Sequence, residues 1–429
     1  MTSFSIRTFG CRTNQAEAFA WAAELEREGF HRRSDGGEDV VVVNTCTLTS
    51  RADRDVRKFL RRTARLNPKA GVVVTGCLAE RDPESLRRMP GVRDVLPNAE
   101  KNRVPEVVAA ARPSGAAAAG KAPAAGRPFR SRAFLKVQDG CDMGCRFCII
   151  PRVRGRGRSV AIREVVDRVG ALAGDGFQEI VLTGINLSAY GRDLLPPSSL
   201  LDLAAAIDAV PGRFRVRLSS LDPRFVTSET VEGLTRSARI CPHFHLSLQS
   251  GADPVLRAMG RRRTAADDRA LLAEFARRSP EAAIGADIIV GFPGEREEDF
   301  EASLSLVRDG PLSYVHIFPF SPRPGTPAAE DPPVDEAVKR ARTLRLRRAA
   351  GEKNTAFRRR FAGRVLEGVI VGRSFSGDEA LTSNDMPVAL PPSAAALGTT
   401  VRVRILRVSD EGTAGEIAGA SFPDGHEPD

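Results

Sequence analysis

QDGCDMGCRFCIIPRVRG, residues 138–155, places Cys141, Cys145 and Cys148 within eight residues of one another. The stretch just upstream, Ala133–Val137, is apolar and reads as a strand, so the thiols sit on the loop that follows it. Three thiols are one short of the four-ligand set that closes a structural zinc site. They suit an iron–sulfur cluster in which one iron has no protein ligand. The alternative is a zinc knuckle whose fourth ligand lies elsewhere. No nearby Cys or His completes a pair, and a long α/β pattern follows, which favours the cluster.

With 429 residues the chain has room for about three domains. No apolar run approaches the roughly 20 residues needed to span a bilayer. The opening MTSFSIRTFG lacks the basic-then-apolar layout of a secretory signal. The expectation is a cytoplasmic protein without a membrane partner, whose seven cysteines serve metal or redox chemistry rather than disulfides. The formal charge of +10 is carried mainly by arginine and favours a polyanionic partner. A mere compositional bias toward arginine is the competing explanation.

In the first third, SFSIRTFGC, DVVVVNTC and AGVVVTGC repeat one theme: an apolar run, a small turn, a cysteine. Cys11, Cys46 and Cys77 therefore follow three predicted strands. Helices are predicted between them, at 15–28 and 50–66. Strand and helix in alternation imply a parallel sheet, and such sheets gather ligands beyond the carboxyl ends of their strands. A single cysteine at a strand end is ordinarily a small buried hydrophobe. Three at equivalent strand ends predict a second cluster with an open iron.

The spacing C-x3-C-x-Phe147-C resembles the radical S-adenosylmethionine (SAM) enzymes, and FGCRTNQAE, VVNTCTLTS and VVTGCLAE resemble the amino-terminal domain of the methylthiotransferases among them. The resemblance covers nearly the whole chain; Ala16 departs from it, where relatives often carry an aromatic residue. It implies two 4Fe–4S clusters, one on Cys11, Cys46 and Cys77 and one on Cys141, Cys145 and Cys148, with SAM at the open iron of the second. It further implies that a deoxyadenosyl radical takes hydrogen from the substrate, which then receives a methylthio group from the first cluster. FGCRTNQAE, LTGINLSAYG, PHFHLSLQSG and FPFSPRPGTPA resemble the branch acting on threonylcarbamoyladenosine in the anticodon loop of tRNA. The branch acting on isopentenyladenosine is the alternative, and a non-catalytic zinc- and RNA-binding protein is the alternative from another class.

The implied organisation is an α/β chain. An amino-terminal sheet domain (1–111) is joined by a Pro-, Gly- and Ala-rich linker (112–128) to a radical SAM core folded as a partial β/α barrel (129–355). A small β-barrel of the TRAM type that binds RNA (356–421) and a disordered tail (422–429) complete it. Core strands are predicted at 133–138, 179–183, 214–219, 244–248, 283–290 and 314–319. Ligands of such barrels gather at the carboxyl ends of the strands. The resemblance assigns SAM contacts there to Thr183, Gly184, Ser219, Gln249, Gly291 and Phe292, with Phe147 on the cluster loop. Gly251 is expected to let the backbone approach a ligand.

Arg152, Arg154, Arg156 and Arg158 form an Arg–Gly strip suited to clamping RNA phosphates or a substrate carboxylate. Strand alternation puts Cys241, His243 and His245 on one face; a buried thiol beside hydrogen-bonded histidines is the expectation there, over a metal trio. His316 is expected in the core or behind the site. In the last domain GTAGEIAG, residues 412–419, is expected to form a hairpin; aromatics are scarce there, with Phe375 the main stacking candidate, so phosphate contact is expected to outweigh base stacking. A flavodoxin- or ferredoxin-like electron donor and a monomeric chain complete the expectations.

Overall fold

A computed structural model describes residues 2–111, 131–374 and 377–420. The expected linker at 112–128, Phe375 and the tail from residue 422 lie outside the described residues. The chain divides into two compact units. One comprises Met1–Phe129, Asp139–Arg158 and Ser321–Glu330; the other comprises Arg130–Gln138, Ser159–Phe320 and Asp331–Asp429.

The first unit is built on a five-stranded parallel sheet. Its spatial order is His31–Arg32, Ser3–Thr8, Val40–Thr45, Gly71–Gly76, Val92–Leu96. The run of valines explains why it is covered on both faces. Val40 and Val42 pack with Phe4, Trp21, Leu25 and Val108, whereas Val41 and Val43 pack with Val56, Leu60, Leu78 and Leu86. The helix Ser50–Leu66 has its expected bounds, and its start is fixed by Thr49, whose side chain accepts from the Ala52 N–H at 3.1 Å. Two edge strands went unpredicted. His31–Arg32 is only two residues long, and Val92–Leu96 (VRDVL) interrupts its apolar run with charge.

In the second unit six parallel strands follow one another in chain order. Ala133–Lys136, Glu179–Thr183 and Arg215–Leu218 form one set; His243–Gln249, Ala283–Val290 and Tyr314–Pro319 form the other. Bridges between Val216 and Ile240 and between Leu221 and Leu246 join the sets into a partial barrel. The helix Glu336–Arg359 leads into a closed five-stranded barrel (Val365–Ser374, Gly377–Thr382, Pro387–Leu390, Thr400–Val408, Thr413–Ala420). The expected GTAGEIAG hairpin is instead one strand, Thr413–Ala420, paired antiparallel with Thr400–Val408. The turn lies before it, at Ser409–Gly412, where the Ser409 N–H reaches the Gly412 carbonyl at 2.9 Å.

A buried carboxylate organises this unit. Glu179 accepts from Arg217 (Nε, 2.9 Å), Arg215 (Nε, 2.8 Å) and Arg132 (3.0 Å). Arg217 and Arg215 also donate to the carbonyls of Leu381, Thr382 and Ser383 in the small barrel. Burial alone would raise the Glu179 carboxyl, but Arg217 and Arg215 overcome it and hold the group well below the usual carboxylate range.

Candidate metal centre

The strands Ser3–Thr8, Val40–Thr45 and Gly71–Gly76 are parallel neighbours, with Thr8 beside Asn44 and Thr45 beside Gly76. Their carboxyl ends therefore carry Cys11, Cys46 and Cys77 to one edge of one sheet. Gly10 adopts φ +91°, and a Cβ there would fall 2.5 Å from Cys46 Cβ and 2.6 Å from its Sγ. Only glycine brings the two cysteine-bearing turns so close.

Side chains stitch the strand ends together. Asn14 Nδ2 donates to the carbonyls of Phe9 (2.8 Å) and Thr45 (2.9 Å). Asn44 Nδ2 donates to Asn14 O and Glu17 Oε2, both at 3.1 Å, and the Thr45 hydroxyl donates to Thr75 O at 2.6 Å. Arg323 donates to the Thr47 carbonyl (3.2 Å), Asp53 (2.7 Å) and Ser50 Oγ (2.6 Å), fixing the turn after Cys46.

Cys46 and Cys77 are buried and Cys11 is half-buried. Burial is the main cause that pushes the Cys46 thiol up, to about 12, and negative charge on Cys11 adds to it. Cys77 is likewise raised by burial, with Arg154 opposing and Cys11 reinforcing the shift. The three sulfurs thus share one locality.

Arg154 is the largest departure from expectation. It is not on an exposed strip: its side chain is 0% exposed, at the end of the short helix Ile150–Arg154. Nε donates to Cys77 Sγ at 3.3 Å, one terminal nitrogen to Glu17 (3.0 Å) and Asp139 (2.8 Å), and the other to Asn14 Oδ1. Lys101 Nζ bonds the same two carboxylates, at 2.6 and 2.8 Å. Arg152, Arg156 and Arg158 remain exposed, with Arg156 near Asp142. Sequence reading missed Asn14, Glu17, Lys101, Asp139 and Arg323. Asn14, Glu17 and Asp139 had only their proximity to cysteines as a signal, and polar residues near strand ends are common; Lys101 and Arg323 lie far from any cysteine in the sequence.

On the loop, Cys141, Cys145, Phe147 and Cys148 are all half-buried. The Cys141 N–H bonds Gly155 O and the Cys148 N–H bonds Cys145 O, both at 3.0 Å, which folds the loop back on itself. In the second unit the strand-end residues share the carboxyl end of the barrel. Gly184 N–H donates to Ser219 Oγ at 3.3 Å, joining two of them. The Thr183 hydroxyl is buried and has no hydrogen-bond partner among the described residues. Gln249 adopts φ +77°, a strained backbone for a non-glycine residue, and such strain concentrates at functional sites. Phe292 is fully buried and packs edge-on against Phe320 at 5.2 Å.

Gly251 serves the fold: a Cβ there would lie 2.7 Å from Ala302 O, so its close approach is to a helix and not to a ligand. The histidines also bond within the protein. Tyr314 Oη lies 2.7 Å from His243 Nε2 and 3.0 Å from His245 Nδ1, while Asp287 pairs with His245 (2.8 Å) and His316 (3.3 Å). His316 is half-exposed, outside the core. Donor atoms of His245, Asp287 and His316 all lie within 4.8 Å of one another. Cys241 is buried, and burial pushes its thiol up to about 11.

Residues 3–97 match the family described as uncharacterized protein family UPF0004, and residues 135–307 match the radical SAM superfamily. The threonylcarbamoyladenosine tRNA methylthiotransferase MtaB of Thermotoga maritima is 36% identical over 87% of this chain and 89% of the relative. The chain belongs to the radical SAM methylthiotransferase family. MtaB of Bacillus subtilis is 34% identical to this methylthiotransferase, over 95% of the chain and 94% of the relative. A tRNA-2-methylthio-N(6)-dimethylallyladenosine synthase of Parafrankia sp. is 38% identical, over 86% of the chain and 78% of the relative. Among solved structures, the radical SAM methyltransferase TsrM of Kitasatospora setae aligns over 77% of both chains with a TM-score of 0.54. At 16% identity that likeness concerns the fold alone.

The donors of this methylthiotransferase fit iron–sulfur clusters. Thiols raised by burial stay protonated at neutral pH unless a cation replaces the proton, and soft thiolate sulfur suits an iron–sulfur core. None of the seven cysteines forms a disulfide among the described residues, and no described helix is long and apolar enough to cross a membrane.

Proposed function

We propose that this chain converts N6-threonylcarbamoyladenosine at position 37 of tRNA to its 2-methylthio derivative, using SAM and two 4Fe–4S clusters. The observation that carries the reading is the meeting of Cys11, Cys46 and Cys77 at one sheet edge, in a chain that also holds the Cys141/Cys145/Cys148 loop. Two sets of three thiolates leave two irons open to non-protein ligands. When bound, the clusters and SAM supply the radical, the sulfur and the methyl group.

The chain's own residues orient and enclose. In this reading Phe147, Thr183, Gly184, Ser219, Gln249, Gly291 and Phe292 form the SAM surroundings, with the buried Thr183 hydroxyl available to a ligand oxygen or nitrogen. Arg152, Arg156 and Arg158, exposed and cationic, take RNA phosphate or the carboxylate of the threonylcarbamoyl group. The domains follow the boundaries 1–111, 129–355 and 356–421, the last binding the tRNA backbone. The enzyme acts in the cytoplasm as a monomer and receives its electron from a flavodoxin- or ferredoxin-like protein.

Relatives named for threonylcarbamoyladenosine are matched over 89% and 94% of their length, which supports that substrate. The 38% identity to a dimethylallyladenosine synthase favours the isopentenyl-type substrate as the second reading. Mass spectrometry of tRNA nucleosides from a deletion strain decides. Loss of 2-methylthio-threonylcarbamoyladenosine, restored by the wild-type gene but not by Cys77→Ala, supports the proposal. Loss of the isopentenyl counterpart alone overturns the substrate. Anaerobic reconstitution yielding about eight irons per chain supports the enzyme, and colourless protein with stoichiometric zinc overturns it.

A further inference from the structure

Arg154 lies six residues beyond Cys148, yet its guanidinium is buried at the sulfur of Cys77. Around it stand two carboxylates, Glu17 and Asp139, with Lys101 as the second cation. With three thiolates in place, these acids would leave the locality strongly negative. Hydrogen bonds to cluster sulfurs and nearby positive charge favour the reduced, more negative state of an iron–sulfur cluster. Groups that bond a metal ligand also fix its orientation. Arg154 does both: Nε holds the Cys77 sulfur, and a terminal nitrogen holds Asn14, whose Oδ1 lies 3.7 Å from Cys11 Sγ.

We propose that Arg154 is a positioning residue for the auxiliary cluster, setting its reduction potential through the bond to Cys77 and aligning two of its three ligands. This rests on reading Cys11, Cys46 and Cys77 as cluster ligands. It makes the SAM-cluster loop a structural partner of the sulfur-donating cluster, because the same short segment supplies Cys148 to one and Arg154 to the other.

The test uses the full chain with Cys141, Cys145 and Cys148 replaced by alanine, so that only the auxiliary cluster reconstitutes. Iron and sulfide are counted, and the cluster is titrated electrochemically with paramagnetic resonance as the readout. In this background Arg154→Gln is expected to cut the reduced-to-oxidised ratio at fixed potential at least tenfold, about 59 mV for a one-electron couple. Arg154→Lys, which keeps the charge, is expected between the two. Glu17→Gln removes negative charge and is expected to shift the potential the opposite way.

A fully loaded Arg154→Gln chain with an unchanged potential overturns the proposal. Should that variant fail to load, Arg154→Lys and Glu17→Gln decide: two unchanged potentials overturn it, and opposite shifts support it. Failure of the parent background to bind iron instead removes the reading of Cys11, Cys46 and Cys77 on which the proposal stands.

Discussion

Gly10→Ala tests the auxiliary site at its tightest point. Two costs follow from the structure. A non-glycine residue at φ +91° stores about 1 to 3 kcal/mol of backbone strain. The added Cβ also lands 2.5 Å from Cys46 Cβ and 2.6 Å from Cys46 Sγ. Carbon atoms in contact rest about 3.5 to 4.0 Å apart, so one turn must retreat by roughly 1 Å. Metal–ligand distances tolerate only about 0.2 Å, so a retreat of that size takes the Cys46 sulfur out of bonding range.

Reconstituted Gly10→Ala is therefore expected to lose about four of about eight irons. It should keep the cluster on Cys141, Cys145 and Cys148, and with it reductive cleavage of SAM, while methylthiolation of tRNA falls to background. Gly36→Ala is the control. Its φ of +89° carries the same strain, but nothing lies within 4 Å of the added Cβ, so iron content and activity should hold. If Gly10→Ala retains its full iron and its activity, Cys46 is not a ligand in the observed geometry and the auxiliary site is wrongly drawn.

Thr183→Val keeps the shape of a buried residue whose hydroxyl lacks a partner among the described residues, so stability should change little. SAM affinity, read by equilibrium dialysis, should fall roughly tenfold if the hydroxyl serves the ligand; equal affinity removes Thr183 from the site. Glu179→Gln strands Arg132, Arg215 and Arg217 around a neutral amide and should cost about 3 to 5 kcal/mol, seen as a marked drop in melting temperature; an unchanged melting curve refutes it. Asp268 is raised by burial from 3.8 to about 6, against the opposing pull of Arg263. Its folded form holds the proton longer than its unfolded form, so stability falls as pH climbs from about 4 to about 6, by about 2 kcal/mol across that window and about 1 kcal/mol of it above pH 5. Asp268→Asn should flatten that part of the stability profile of the apo chain, and an identical profile refutes the shift.

Much of this could be read from the sequence because the relevant signals are local. Val40–Thr45 and Gly71–Gly76 contain unbroken valine runs and are each followed at once by a cysteine, and two-sided burial of a parallel strand requires such a run. The six strands of the partial barrel were also predicted, and Ala283–Val290 and Tyr314–Pro319 have their expected bounds. Pro387–Leu390 went unpredicted because four residues of PVAL beside two prolines carry no usable periodicity. Gly251 misled because a glycine at a strand end reports only that something comes close. The sequence does not say whether that neighbour is a ligand or, as here, the backbone of Ala302.

Charge is the harder case, because one residue type has two opposite uses. Arg154 and Arg156 are two residues apart in an Arg–Gly strip, and nothing local separates them. The first lies fully buried against Cys77, Glu17 and Asp139; the side chain of the second is 93% exposed. What distinguishes them is a set of partners 15 to 140 positions away in the chain. Arg215, Arg217 and Arg323 are likewise buried and matched to carboxylates or carbonyls. A net charge of +10 therefore overstates what these particular arginines offer to a polyanion, since buried pairs make no phosphate contacts. RNA affinity should accordingly depend on salt through exposed residues such as Arg152, Arg156 and Arg158. Replacing those three with glutamine should flatten the salt dependence of tRNA binding, whereas Arg154→Gln should leave the slope alone and alter the cluster. If instead Arg154→Gln flattens the slope as strongly as the exposed replacements do, its burial is not maintained in the complex with RNA.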